Sequence, residues 1–418
     1  MSQRPLVLVG LALGGLVLAG CETVSAGARP SLPLWAHRPV TALSIDQRRE
    51  LTIPERRVGE AWERGRPEID AANMRVFVGS SDKGLYALRA DDAKTIWRFE
   101  TLGAVQSEPL YDPVEDVVYF GSNDGALYKV KAATGELIWR FSTNAEVARK
   151  PVLADGILYF TNANDTLIAV DAKTGNLLWQ RHRTPAFGME ISGHAGATVA
   201  KGRVYTAFSD GTVVAYDAKT GSEAWPPVDL TAEAEQLSGE QPKYLDADAT
   251  PVFDSIQAGD VIYVASFSGG VFALDAETGS RIWANDKALG VTDLVLWEQP
   301  AHPPRDGKGP WIPARKLLFA ASGSTGLWAL DPEDGHEIWR RPLPEGGITA
   351  PVPITGALLV GTTRYGLFLF SPLDGGVIDG IDTTGGFSMT PAAHGRRAFL
   401  LSNGGTWLGV SVLPPDKL

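Results

Sequence analysis

The sequence has 418 residues, 44% of them hydrophobic and 21% charged, enough for a globular core of two or three ordinary domains unless a repeat intervenes. Its 38 Lys and Arg against 49 Asp and Glu leave a net charge of −11, which excludes a nucleic-acid partner because phosphate neutralisation needs clustered cations. With one cysteine, Cys21, an internal disulfide is excluded too.

The chain begins "MSQRPLVLVGLALGGLVLAGC": Arg4, an uncharged apolar run from Leu6 to Gly20, then Cys21. The run is too short to span a bilayer comfortably and suits a secretory signal over residues 1–20. "LAGC" resembles the lipobox of bacterial lipoproteins, which implies acylation of Cys21 and permanent membrane attachment, since each buried CH₂ contributes about 0.8 kcal/mol. Glu22, in place of the Asp that resembles an inner-membrane retention signal, points to the outer membrane. Residues 21–34 are small, polar and Pro-containing, as a tether should be.

From there a phrase recurs. "DAKTGNLLW" (171–179) returns as "DAKTGSEAW" (217–225), "DAETGSRIW" (275–283) and "DPEDGHEIW" (331–339), with looser copies at 89–97 and 131–139. It ends a longer unit, such as "VVYFGSNDGALYKVKAATGELIWRF" (117–141): a β-branched and aromatic run, a turn, a second run, the Gly turn, and a run ending in Trp. A Pro-containing segment precedes each unit and reads as a first strand, its Pro placed where no ladder N–H is needed. Four strands repeated in tandem predict an all-β chain of propeller blades. The turn Gly needs a positive φ, and the Trp packs between neighbouring blades.

The Trp positions 97, 139, 179, 225, 283 and 339 give six blades. A seventh copy (358–380) puts Asp379 where Trp belongs, and an eighth (398–410) ends before its outer strand. "PLWAHRPV" (33–40) resembles "EIWRRPL" (337–343), so Trp35 is expected to close the ring from the N-terminal side. Trp62 is the competitor, but it stands too near Pro67. The reading is therefore an eight-bladed β-propeller of four-stranded antiparallel blades over 35–413. Its closing strand is near 33–40, with an insertion at about 41–66 and a tail at 414–418. Two loops are lengthened, 226–244 and 297–313, the second with exposed-looking Trp297 and Trp311.

These repeats resemble those of the eight-bladed propellers with pyrroloquinoline-quinone-type Trp-docking motifs, across the whole chain from residue 35. One branch is the quinoprotein alcohol dehydrogenases, in which the resemblance implies a quinone stacked on Trp under a disulfide of adjacent cysteines, with Ca²⁺. This sequence lacks the cysteines, and its six His show no paired metal spacing. No cofactor, metal site or enzyme activity is expected.

The other branch is the lipoproteins of the outer-membrane β-barrel assembly machinery, similar in lipobox, length and blade count. There a loop of two apolar residues flanking a polar one, then Arg and Gly, touches the polypeptide-transport-associated (POTRA) domains of the central barrel protein. "MEISG" (189–193) matches with Met189 and Ile191 but has Ser192 in the Arg place. "LDADATPV" (245–252) supplies the family's two Asp as Asp246 and Asp248. Two roles fit these residues: partner contact, or core packing and turn capping. The resemblance implies a periplasm-facing scaffold binding the POTRA domains and other assembly lipoproteins, with unfolded barrel precursors as further clients by β-augmentation. Service to another envelope complex is the alternative, and a quinoprotein oxidoreductase the remote one.

Overall fold

The computed structural model describes residues 42–59, 62–185, 194–239, 243–303, 309–343, 346–383 and 385–413. In the first blade four antiparallel strands run outward from the axis, Pro67–Asp70, Arg75–Gly79, Gly84–Arg89 and Thr95–Glu100. The two middle strands are buried almost throughout, because both faces of the sheet are covered by neighbouring blades. Six further four-stranded sheets repeat this order over 110–142, 152–182, 198–229, 252–285, 291–341 and 352–381. The eighth takes Ala392–His394, Arg397–Leu401 and Thr406–Val412 from the C-terminal end and Leu43–Glu50 from the N-terminal end.

The closing strand is thus Leu43–Glu50, not 33–40; Trp35 lies outside the described residues, as does Cys21. What was expected to be an insertion from 41 onward contributes the eighth outer strand. Gln47 takes the Trp position, opposite Gly409, where a Cβ would stand 3.1 Å or less from the Gln47 side chain.

The seams explain the repeated phrase. Trp97, Trp139, Trp179, Trp225, Trp283 and Trp339 each donate the indole N–H to a backbone carbonyl in the next blade's turn, at 2.9 to 3.4 Å. The acceptors are Ala132, Ala172, Ala218, Ala276, Pro332 and Pro372, the second residue of each turn. At four of these carbonyls a buried Tyr hydroxyl of the Trp's own blade donates as well, from Tyr119, Tyr159, Tyr205 and Tyr263. Both lone pairs of the oxygen are therefore used. The Gly of the same turn lies flat on the indole: Gly175 has φ +73°, and a Cβ there would come within 2.8 Å of the Trp139 ring. Where Gln47 replaces Trp, its amide donates to Ala90 O at 2.7 Å, the matching carbonyl of blade one, and that turn tolerates Ala93 in the Gly place.

Asp379 marks the seam where the donor must become an acceptor. Blade eight has no third-to-outer turn, because its outer strand arrives from the other terminus. No turn carbonyl stands ready for an indole there. Instead the incoming chain offers two N–H groups, and the Asp379 carboxylate accepts both, from Ala42 at 2.5 Å and Leu43 at 2.9 Å. Asp379 is 6% exposed and Ala42 fully buried, so the pair is shielded from water.

Antiparallel order puts the inner-to-second and third-to-outer turns at one end of the ring, the turn face. The blade-to-blade links and second-to-third turns occupy the other, the link face. The lengthened loop after Trp225 lies on the link face and folds into the helix Leu230–Ser238, with Asp229 accepting from Thr231 N and Ala232 N at its start. Leu230 and Ala234 drive it into the core between blades four and five. The loop after Trp297 is a hairpin extension on the turn face: Trp297, expected to be exposed, is buried against Phe319, while Trp311 is 66% exposed.

Replacing Asp379 with Ala leaves two buried amides unpaired and should destabilise the ring by about 2–3 kcal/mol. Urea unfolding should report the loss, and hydrogen exchange should accelerate first at Ala42 and Leu43.

Candidate functional site: an axial funnel and its flanking links

On the link face the eight links descend into the inner strands and leave a funnel of about 310 Å³ at the axis. Its wall includes Arg64, Arg66, Glu108, Arg149, Asp248 and Asp293. Arg66 donates to Glu108 of blade two at 2.7 Å, reaches Asp293 of blade six at 3.4 Å, and touches Thr390 of blade eight. Arg149 of blade three approaches the same Asp293 at 3.9 Å. Lys150 pairs with Glu68 at 2.8 Å and with Glu108 at 3.6 Å. The bonds to Asp293 and the Lys150–Glu68 pair tie non-adjacent blades together, and the others join neighbours.

The electrostatics follow from that crowding. Burial pulls the Arg66 pKa down, but Glu108 and Asp293 outweigh it and the net direction is up. Burial pushes Glu108 up, yet Arg66 and Lys150 hold it below the ordinary glutamate value. Burial and the adjacent Arg149 push His194 down to about 4, and its Nδ1 has no hydrogen-bond partner among the described residues. His194 is therefore neutral near pH 7.

The wall does not fit a quinone platform. Among its described lining residues there is no Trp, Tyr or Phe on which a planar ring could stack. Its cations and carboxylates engage one another. Among the described residues the grouping closest to a metal site lies elsewhere, on the exposed turn of blade six. There Asp331, Asp334 and His336 come within 4.8 Å of one another, with His336 Nδ1 and Asp334 already bonded at 2.6 Å.

Beside the funnel the described end of one link, from His194, meets the link that carries Asp246 and Asp248. The link from blade three to four contains Met189 and Ile191, which lie outside the described residues. Its described end is stitched to the next link: Gly196 N donates to Thr250 Oγ1 at 2.9 Å, and Arg149 donates to the carbonyls of both His194 and Asp248. Asp246 is fully buried and Asp248 is 5% exposed, in the funnel wall. Neither presents an open carboxylate, so any part they play in docking runs through the shape of the link. A second concavity of about 440 Å³ flanks this sector, walled by Ala234 and Ser238 of the helix, Tyr244, Phe267 and Leu289.

The funnel charges were not singled out from sequence, although a signal was present. Arg66, Glu108, Lys150, Thr250, Ala350 and Thr390 each stand directly before the Pro that opens an inner strand. That X-Pro frame marks the residues that face the axis.

A family model described as outer membrane protein assembly factor BamB matches residues 114–298 and 287–378. A protein named outer membrane protein assembly factor BamB from Legionella pneumophila (strain Paris) is 26% identical over 171 residues, 41% of this chain and 39% of that relative. The matched stretch thus spans well under half the relative's length. Among solved structures, BamB from Moraxella catarrhalis superposes with TM-score 0.66 at 18% identity, covering 88% of this chain and 99% of the other. Quinohemoprotein alcohol dehydrogenase from Comamonas testosteroni gives 0.62 at 15%, covering 88% and 76%. Both structural likenesses speak to the fold alone.

Because His194 is neutral when folded and ordinary when unfolded, the unfolded chain binds the extra proton as pH falls. Stability present above pH 6.5 should be lost progressively toward about pH 4, by roughly 3 kcal/mol for this group. Replacing His194 with Gln should flatten that part of the profile in urea melts, and the difference between the two proteins isolates the histidine.

Proposed function

The chain belongs to the family of the outer membrane protein assembly factor BamB, and from that membership we propose that it is a non-enzymatic scaffold of the outer-membrane β-barrel assembly machinery. In this reading Cys21 carries the lipid and the propeller faces the periplasm. The link face receives the POTRA domains of the central barrel protein. Other assembly lipoproteins and unfolded barrel precursors complete the set of partners.

The observation that carries the reading is the convergence of the two links. Arg149 holds His194, the described end of the link whose sequence carries Met189 and Ile191, against Asp248 of the other link. In this arrangement the apolar pair supplies the contact, since a few desolvated, well-packed side chains carry most of an interface's energy. The acidic pair acts from within by fixing the path of its link. The funnel's crossed ion pairs keep the sector rigid, which lowers the entropy cost of docking. A scaffold asks no chemistry of these residues, and the described funnel lining has no aromatic ring for a quinone to stack on.

A pull-down with the tagged, lipidated chain from envelope extracts tests the assignment. The wild-type chain should recover the central barrel protein. Met189→Asp with Ile191→Asp should cut recovery at least ~10-fold, and Asp246→Ala with Asp248→Ala should cut it measurably. Wild-type recovery by both double variants would overturn the contact assignment, and co-purification of a different outer-membrane complex would overturn the assembly role. The quinoprotein reading instead requires uptake of quinone with Ca²⁺ and dye reduction with an alcohol.

A further inference from the structure

We infer that the turn face of blades one to three is a lipid-contacting surface, lying against the bilayer from which the N-terminal tether leads. The inference rests on the reading of Cys21 as the anchored residue and adds what that reading leaves open, the orientation of the ring.

The distribution of exposed apolar groups is one-sided. Of the fifteen large apolar side chains exposed among the described residues, only Trp62, Leu102, Leu237 and Leu289 lie on the link face. The other eleven lie on the turn face, and they concentrate on three consecutive blades. The inner-to-second turns of blades one and two present Met74 and Val114, the latter 91% exposed. The first residues of the outer strands add Ile96, then Leu137 with Ile138, then Leu177 with Leu178, each between 42% and 48% exposed. Blade four has Glu223 and Ala224 at the matching positions, and blade five has Arg281 and a half-buried Ile282. Neighbouring exposed aliphatics on a soluble ring mark an interaction surface.

The chain path selects the occupant. The described chain starts at Ala42, on the turn face at the seam of blades seven and eight, one blade from the apolar sector. Twenty residues separate Cys21 from Ala42, a reach of about 70 Å when extended. A tether of that length permits the turn face to meet the membrane without forcing it; the apolar sector supplies the bias. Counting both kinds of turn, the turn face of blades one to three holds four Lys or Arg against seven carboxylates, so charge adds nothing and the aliphatic sector alone orients the ring. An interfacial layer demands no matching hydrogen bonds, which suits aliphatic side chains spread over three blades.

An environment-sensitive fluorophore on single cysteines at Val114→Cys, Ile138→Cys and, as control, Leu102→Cys tests the inference. Each chain is placed on phosphatidylethanolamine–phosphatidylglycerol vesicles in two forms. One is the full lipidated protein. The other starts at residue 21 with Cys21→Ser and is held on nickel-chelating lipid by an N-terminal hexahistidine tag. Blue-shifted emission and quenching by brominated lipid at 114 and 138, with neither at 102, are the expected result. Adding Ile138→Glu and Leu178→Glu should abolish the shift at 114. Equal signals at all three sites, or none at 114 and 138 in the tagged form, would overturn the inference. Flotation of the untagged chain against Cys21→Ser decides the anchor separately. Failure to float with a persisting shift at 114 in the tagged form would remove the anchor and leave the lipid-facing sector standing.

Discussion

A ring of sheets has no structure until each sheet is fastened to the next, and here the fastening is one hydrogen bond repeated. An indole N–H on the outer strand reaches the second carbonyl of the following blade's turn, with a glycine beneath the ring to admit it. The bond is short-ranged and buried, so leaving either partner unmade costs more than making it contributes. That asymmetry accounts for the repeat better than hydrophobicity does. A Phe would fill most of the volume but would remove the indole donor from every seam carbonyl, whereas Gln47, polar and not aromatic, preserves the bond and is accepted. The conserved quantity along the ring is the donor.

The two irregular seams obey the same rule from opposite sides. Between blades eight and one the turn carbonyl survives and the donor changes from indole to amide. Between blades seven and eight the carbonyl is absent, because two chain ends supply the blade, and the side chain changes sign to a carboxylate that collects the entering amides. Closure by strands from both ends removes the last open sheet edge of the ring. It also places both ends of the described propeller on the turn face, away from the funnel and the joined links. A tether that left from the link face would pass through the sector the partner is proposed to use.

Much of this was legible in the sequence, since period, turn chemistry and Trp spacing all act within one repeat. Blade number and strand order belong to that class. The closing strand did not, and the reason is physical: its hallmark was sought as a Trp, at Trp35, while the structure fills the position with Gln47, whose role depends on a carbonyl more than forty residues away. Asp379 stood out as a departure, but its function needs the knowledge that Ala42 arrives beside it. Trp297 looked exposed because it follows a strand and precedes a Pro-rich loop; the strand continues through Gln299, and the ring turns inward against Phe319. For the acidic pair the sequence left two roles open, partner contact and turn capping, and it carried no sign that the fold buries both.

The axial charges show why a fold shared with dehydrogenases need not share their chemistry. A propeller brings eight inner strands to one axis, and whatever precedes each strand must face its counterparts at close range. Arg66, Glu108, Lys150, Arg149 and Asp293 settle that confrontation among themselves, two blades being linked across the axis through one carboxylate. Groups satisfied in this way are poor ligands, because any guest must first break partly buried ion pairs whose remaining members are costly to strand. The same cross-bracing makes the link face a stiff platform. Stiffness there serves recognition by loops, where affinity gains from ordering done in advance. With the axis spent on bracing, both proposed contact surfaces lie on the rims, the joined links on one and the exposed aliphatics on the other.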